Sequence, residues 1–172
     1  MRRPTSARDD GGHIHRRPVL TLFCGPPGAG KTTVARELEA QGHGVRIATD
    51  EWQEAMGFDP NDAELHERLQ PVLYRHALTL LDLGVDVILE DGLWTRAERC
   101  EKFADARAHG ADISWHIFEV DQDELWRRLT SRNEGFMGGL HVSRADLDHI
   151  LSVFELPTAA EMHSVDTVEV HH

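Results

Sequence analysis

The chain has 172 residues, with 18 Lys and Arg against 30 Asp and Glu and a formal charge of −12 with its 12 histidines neutral. Its 40% apolar content is too high for a disordered chain, and its length suits one domain. No run nears the roughly 18 apolar residues of a membrane span, and no apolar segment follows the N-terminal arginines, so a cytoplasmic protein without a membrane partner is expected.

Residues 1–18 carry five Arg and two Asp among Gly, His and Pro, a net +3 that leaves the rest of the chain at −15. With almost nothing apolar to bury, this segment is expected to be a flexible leader, and 19–172 the folded domain. The acidic body repels phosphate backbones and argues against a nucleic-acid partner. Cys24 and Cys100 lie far apart with no C-x-x-C partner, so two reduced, buried thiols are expected.

The apolar run VLTLFC (residues 19–24), bounded by Pro18 and Gly25, reads as a strand buried on both faces. It runs into Gly25-Pro-Pro-Gly-Ala-Gly-Lys-Thr32, which fits the phosphate-loop pattern G-x-x-x-x-G-K-[ST] between a strand and a helix. Glycines bring backbone N–H groups close to a polyphosphate, and the helix that follows adds the positive end of its dipole. Lys31 suits the β and γ oxygens and the Thr32 hydroxyl suits Mg²⁺. The chain's own composition would give this pattern by chance in only about one sequence in 10³. The nucleotide-binding candidates are Gly25, Pro27, Gly28, Ala29, Gly30, Lys31, Thr32 and Thr33, with ATP and Mg²⁺ as cofactors. Only Lys31 and Lys102 are lysines, against sixteen arginines, so the placement of Lys31 is informative.

A helix is expected over 32–41, stopped by Gly42, then a short strand over 44–48. Asp50 follows, past a strand's carboxyl end, where open α/β sheets bind ligands. With Gln53 three residues on, it also fits a capping box. The chain breaks near Gly57 and Pro60. It resumes at 61 or 62 as a long helix with Leu65, Leu69, Leu73, Ala77 and Leu81 in a 3.6-residue stripe. A third strand over 85–89 runs into Glu90 and Asp91. One of these acids is expected to hold the magnesium shell, with Asp91 the first choice and Glu90 the alternative.

Further on come a helix over 95–109, a strand over 113–120, a helix over 123–132 and a Gly-rich stretch over 133–140. A helix capped by Ser143 and Asp146 then ends near Phe154, and a last strand spans 165–170. Gly135, Gly138 and Gly139 suit either a lid hinge or a plain loop. Trp52 and Trp94 stand beside the expected site as an aromatic wall or as rim packing. The loop over 154–158 is where base contacts are sought, and no histidine shows metal-ligand spacing in a helix register. Strands alternating with helices imply an α/β protein of three layers around a parallel sheet.

With GPPGAGKTT, ATDEW, VILEDGLWTRAER, DELWRRLTSRN and FELP in this order, residues 19–160 resemble the small P-loop kinase-like proteins called AAA family ATPases. These are relatives of zeta toxins, chloramphenicol phosphotransferase and the kinase domain of polynucleotide kinase. The resemblance implies a P-loop NTPase core like that of nucleoside monophosphate kinases, with a five-stranded parallel sheet in the order 2-3-1-4-5 and a small lid at about 123–142. It makes Asp50 the group that contacts the acceptor hydroxyl as general base, and Arg128 and Arg132 the lid arginines that clamp the transferring phosphate. Arg96 and Arg99 match the family's W-x-R-x-x-R pattern. An ATP-dependent phosphotransferase acting on a small-molecule hydroxyl is the expected activity, as a monomer or homodimer. A regulatory ATP-hydrolysing protein and a polynucleotide 5′-hydroxyl kinase are the alternatives.

Overall fold

β1 (Val19–Cys24) lies at the centre of a five-stranded sheet, in a computed structural model that describes residues 16–135 and 141–172. The sheet is completed by β2 (Val45–Ile47), β3 (Val87–Leu89), β4 (Asp112–Phe118) and β5 (Thr167–His171), all parallel, in the order β2-β3-β1-β4-β5. This is the expected P-loop NTPase-type architecture. The helices are α1 (Lys31–Ala40), α2 (Thr49–Ala55), α3 (Ala63–Asp82), α4 (Arg96–Ala108), α5 (Gln122–Gly135), α6 (Arg144–Val153) and α7 (Ala159–His163). Most of the expected leader, and Gly138 and Gly139, lie outside the described residues.

Alternation along the strands sorts the core onto two faces. Leu20, Leu22 and Cys24 join Val87, Leu89, Ile113 and Trp115 under α3 and α4. Phe23, Ile88 and Phe118 meet Ala35 of α1 and Leu125 and Leu129 of α5 on the other side. No described helix is long and apolar enough to cross a membrane.

Local signals hold where they are strong. Ser143 and Asp146 form the expected reciprocal cap at α6. α7, in a stretch for which the sequence predicts no element, begins with the same device, Thr158 and Glu161. Asp50 is not a cap: α2 starts one residue earlier, and its N-cap position, Ala48, offers no side-chain bond. Gln53 is fully buried and donates instead to the carbonyls of Asp59 and Asp62, tying α2 to the start of α3. The thiols divide. Cys24 is buried, and burial pushes it up to about 11, whereas Cys100 is exposed, on the outward side of α4 beside the inward-facing Arg99.

Candidate nucleotide and acceptor site

The C-terminal ends of β1, β2 and β3 converge on one edge of the sheet. The turn after β1 takes positive φ at Gly28 (82°) and Gly30 (106°), the left-handed region where a side chain is strained, and Gly30 caps α1. The turn is fixed at its root, since Gly25 donates its N–H to the carbonyl of Gly92 at 3.1 Å. A Cβ on Gly25 would stand 2.8 Å from the Phe118 Cβ. Gly25→Ala should therefore destabilise the fold by about 1–3 kcal/mol, read as a lower urea midpoint.

Lys31 folds back onto this turn, donating from Nζ to the carbonyls of Gly25 (2.9 Å) and Pro26 (2.8 Å). Burial pulls its ammonium down to about 8, against the opposing negative charges of Glu90 and Asp50. The Thr32 hydroxyl donates to Glu90, whose carboxylate also pairs with Arg46. Asp91 lies elsewhere: it is buried, hydrogen-bonded to Gln70 of α3, within the fields of Lys102, His66 and Asp50, and burial raises its pKa. The acid beside Thr32 is thus Glu90, the alternative, rather than Asp91.

Strand alternation explains the swap. Glu90 continues the side of Ile88, facing α1, while Asp91 continues that of Val87 and Leu89, facing α3. Thr32 and Glu90 together present two hard oxygens on the α1 side, a donor set that fits Mg²⁺.

Asp50 pairs through Oδ1 with Nδ1 of His66 at 3.0 Å, a partner that sequence reasoning missed. The hydrogen bond to Asp50 raises the pKa of His66 above its ordinary value, outweighing partial burial. The pair therefore contributes stability below His66's unfolded pKa, and this contribution is lost as pH rises through the elevated folded value. In Asp50→Asn the His66 imidazole should titrate at lower pH than in the parent, as followed by NMR.

Arg132 stands in the field of Asp50, with partial burial lowering its pKa and that negative charge opposing the effect. Arg128 holds Glu124 through Nε (2.6 Å) and reaches the Ala29 carbonyl of the turn through Nη1 (3.4 Å). With Arg127, it brings the Glu124 carboxyl down to about 2. Arg128 and Arg132 of α5 therefore both reach the site, one through the phosphate turn and one through Asp50. Pro27 and Thr33, the remaining binding candidates, lie in the turn and the first turn of α1.

Beside the turn, a cleft of about 460 Å³ is lined by Pro26, Phe118, Glu119, Phe154, Leu156 and Pro157. It includes Phe154, Leu156 and Pro157 of the loop where the sequence predicts base contacts. That loop is anchored from below. Arg99, fully buried, bonds Oε1 of Glu161 (2.8 Å) and the carbonyls of Glu155 (2.9 Å), Trp94 (3.3 Å) and Leu93 (3.4 Å). Leu93 has φ +41°, and its carbonyl accepts from both Arg99 and the Cys24 thiol, contacts that hold a strained residue in place. Trp52 is 45% exposed, and Trp94 packs against Gly92.

A glycine-rich turn joining the central strand of a 2-3-1-4-5 parallel sheet to a helix, with its lysine over the turn, defines a protein of the P-loop NTPase type. The chain belongs to the AAA domain family, whose profile matches residues 20–157. No curated protein matches it.

Among solved structures, it is similar to a chain of the Pnkp1/Rnl/Hen1 RNA repair complex, at 22% identity over 83% of this chain and 45% of that one, with a TM-score of 0.69. It is also similar to a gluconokinase from Sinorhizobium meliloti 1021 (16% identity, 90% and 83% covered, TM-score 0.58). A third likeness is to the APS kinase of Mycobacterium tuberculosis, solved with AMPPNP and APS (20% identity, 90% and 88% covered, TM-score 0.55). At these identities the likeness is one of fold, and this chain spans under half the length of the RNA-repair chain.

Proposed function

We propose that the protein is an ATP-dependent phosphotransferase that moves the γ-phosphoryl group of Mg-ATP to a hydroxyl of a small molecule. The observation that carries this reading is Asp50, a carboxylate outside the phosphate turn, held through one oxygen by His66 and sharing its field with both Lys31 and Arg132. Hydrolysis alone needs only a water-positioning group. A carboxylate oriented by its own partner suits the deprotonation of an acceptor.

In this reading the adenine lies in the cleft beside Phe118 and Phe154, and the phosphates lie on the N–H groups of the turn and on Lys31. Lys31 then exchanges its two carbonyl partners for phosphate oxygens. Thr32 and Glu90 would hold Mg²⁺, which would neutralise phosphate charge. The acceptor oxygen bonds to the γ-phosphorus as the bond to the β,γ-bridging oxygen breaks, and its proton passes to Oδ2 of Asp50. ADP leaves with the bonding pair, and Arg128 and Arg132 spread the developing charge. Asp91, on the α3 side with Gln70 and near His66, is assigned to the acceptor pocket rather than to the metal.

A panel of hydroxyl-bearing metabolites and antibiotics, with a 5′-hydroxyl oligonucleotide as one arm, tests this by mass spectrometry. A gain of one phosphoryl group on a small molecule, dependent on ATP, is expected. ATP turnover that no hydroxyl compound alters, with no phosphorylated product, would turn the reading into that of an ATP hydrolase. The charge of −15 beyond residue 18 disfavours the oligonucleotide.

A further inference from the structure

Toward the β5 side of the same sheet, β4 and β5 bring together three groups that the phosphotransfer reading does not use. His116 pairs in register with Glu169, and Phe118 with His171, so His116, Glu169 and His171 project from one face of the two strands. Nδ1 of His116 lies 2.9 Å from Nε2 of His171 and 3.6 Å from Oε2 of Glu169, and the three ligand atoms all fall within 4.8 Å of one another. The two imidazoles lie 19° from coplanar with centroids 5.2 Å apart, so they meet edge to edge, nitrogen facing nitrogen.

Each ring is fixed from behind. His116 stacks on Phe23 (5.3 Å, 26°) and His171 on Phe118 (4.5 Å, 13°). Rings held in orientation by their surroundings are what a metal ligand needs.

We infer that His116, His171 and Glu169 form a binding site for a zinc-type divalent transition metal, separate from the magnesium position. Two imidazoles and one carboxylate suit such a borderline cation, and the absence of an all-oxygen set disfavours Mg²⁺ and Ca²⁺. In the metal-free protein one proton bridges the facing nitrogens. When the cation binds, that proton moves to the outward nitrogen of the same ring, so both lone pairs face the metal and no charge is lost from the imidazoles. The facing nitrogens then part from 2.9 Å to about 3.3 Å, the separation set by bonds of roughly 2.0–2.1 Å in tetrahedral geometry. His171 and Glu169 reach the surface, which allows that shift, while the buried His116 stays.

The site differs from chance chelation by surface histidines in depending on one terminal histidine and not its neighbour. Co²⁺ titrated into the full chain, in millimolar Mg²⁺ and without nucleotide, should give one equivalent of strong visible d–d absorption of the tetrahedral type. His171→Gln should abolish it, Glu169→Gln should weaken binding by about tenfold or more, and His172→Gln should leave it unchanged. Excess Zn²⁺ should raise the Tm of the parent and of His172→Gln but not of His171→Gln. Absorption that survives His171→Gln, disappears in His172→Gln, or has only the weak intensity of octahedral Co²⁺ would overturn the assignment. Neither ATP nor an acceptor enters the measurement, so its outcome is independent of the phosphotransfer reading.

Discussion

Arg99→Ala is expected to destabilise the protein by about 3–5 kcal/mol, measured by urea unfolding, because it strips the partner from a carboxylate left in the interior. The guanidinium is fully buried and its partner Glu161 is only 5% exposed, so water cannot take over the lost contact. Against a typical total of about 5–15 kcal/mol this is a large fraction.

A pH series identifies the cause. In the parent, burial works to raise the Glu161 pKa, yet hydrogen bonds from Arg99 and Thr158 bring it below the ordinary value. The stability this contributes is present above the unfolded pKa and is lost as pH falls through the folded one. In the variant the lowering by Arg99 is gone and the pKa rises from its value in the parent, so the gap between the two proteins should narrow on acidification. Arg99→Met combined with Glu161→Met should recover much of the loss, since an apolar pair needs no compensation. Arg99→Lys should not, because one ammonium cannot reach Glu161 and three carbonyls at once. The damage would also reach the site, as those carbonyls belong to the loop after β3 and to the segment lining the cleft.

That arginine also marks the limit of what was legible in the sequence. The phosphate turn could be read because its chemistry is local: glycines, lysine and threonine act at fixed spacing between a strand and a helix. The sheet order followed from family resemblance, and the cap at Ser143 from two residues three apart. Arg99 lies in a helix with one large apolar residue, Phe103, and finds Glu161 62 positions later, in a five-residue helix too short to show any periodicity. His66 meets Asp50 only because Gln53 folds α2 back against α3. Glu90 and Asp91 are neighbours that point to opposite faces, and choosing between them requires knowing which face α1 covers. His116 and His171 meet across two strands, where no helix register would reveal them.

Asp50→Asn is expected to lower phosphoryl transfer to the acceptor by roughly 10²–10⁴ while leaving ATP affinity nearly unchanged. Asn keeps the size of the side chain and a carbonyl oxygen that can accept from His66, so positioning survives and only the basic oxygen is lost. In the proposed reading the nucleotide is held by the turn, Lys31 and the cleft, none of which Asp50 touches directly. The effect should thus fall on kcat and not on the ATP KM. His66→Gln separates orientation from basicity, because it leaves the carboxylate intact while removing the imidazole. Its loss of transfer should be smaller than that of Asp50→Asn, and its residual activity should keep the dependence on acceptor. If both variants instead changed ATP affinity and transfer in parallel, the Asp50–His66 pair would be part of the nucleotide's seat and the general base would have to be sought at Asp91. That residue is a buried acid on the α3 side, and there Gln70 and the fields of Lys102 and His66 already oppose the burial that raises its pKa.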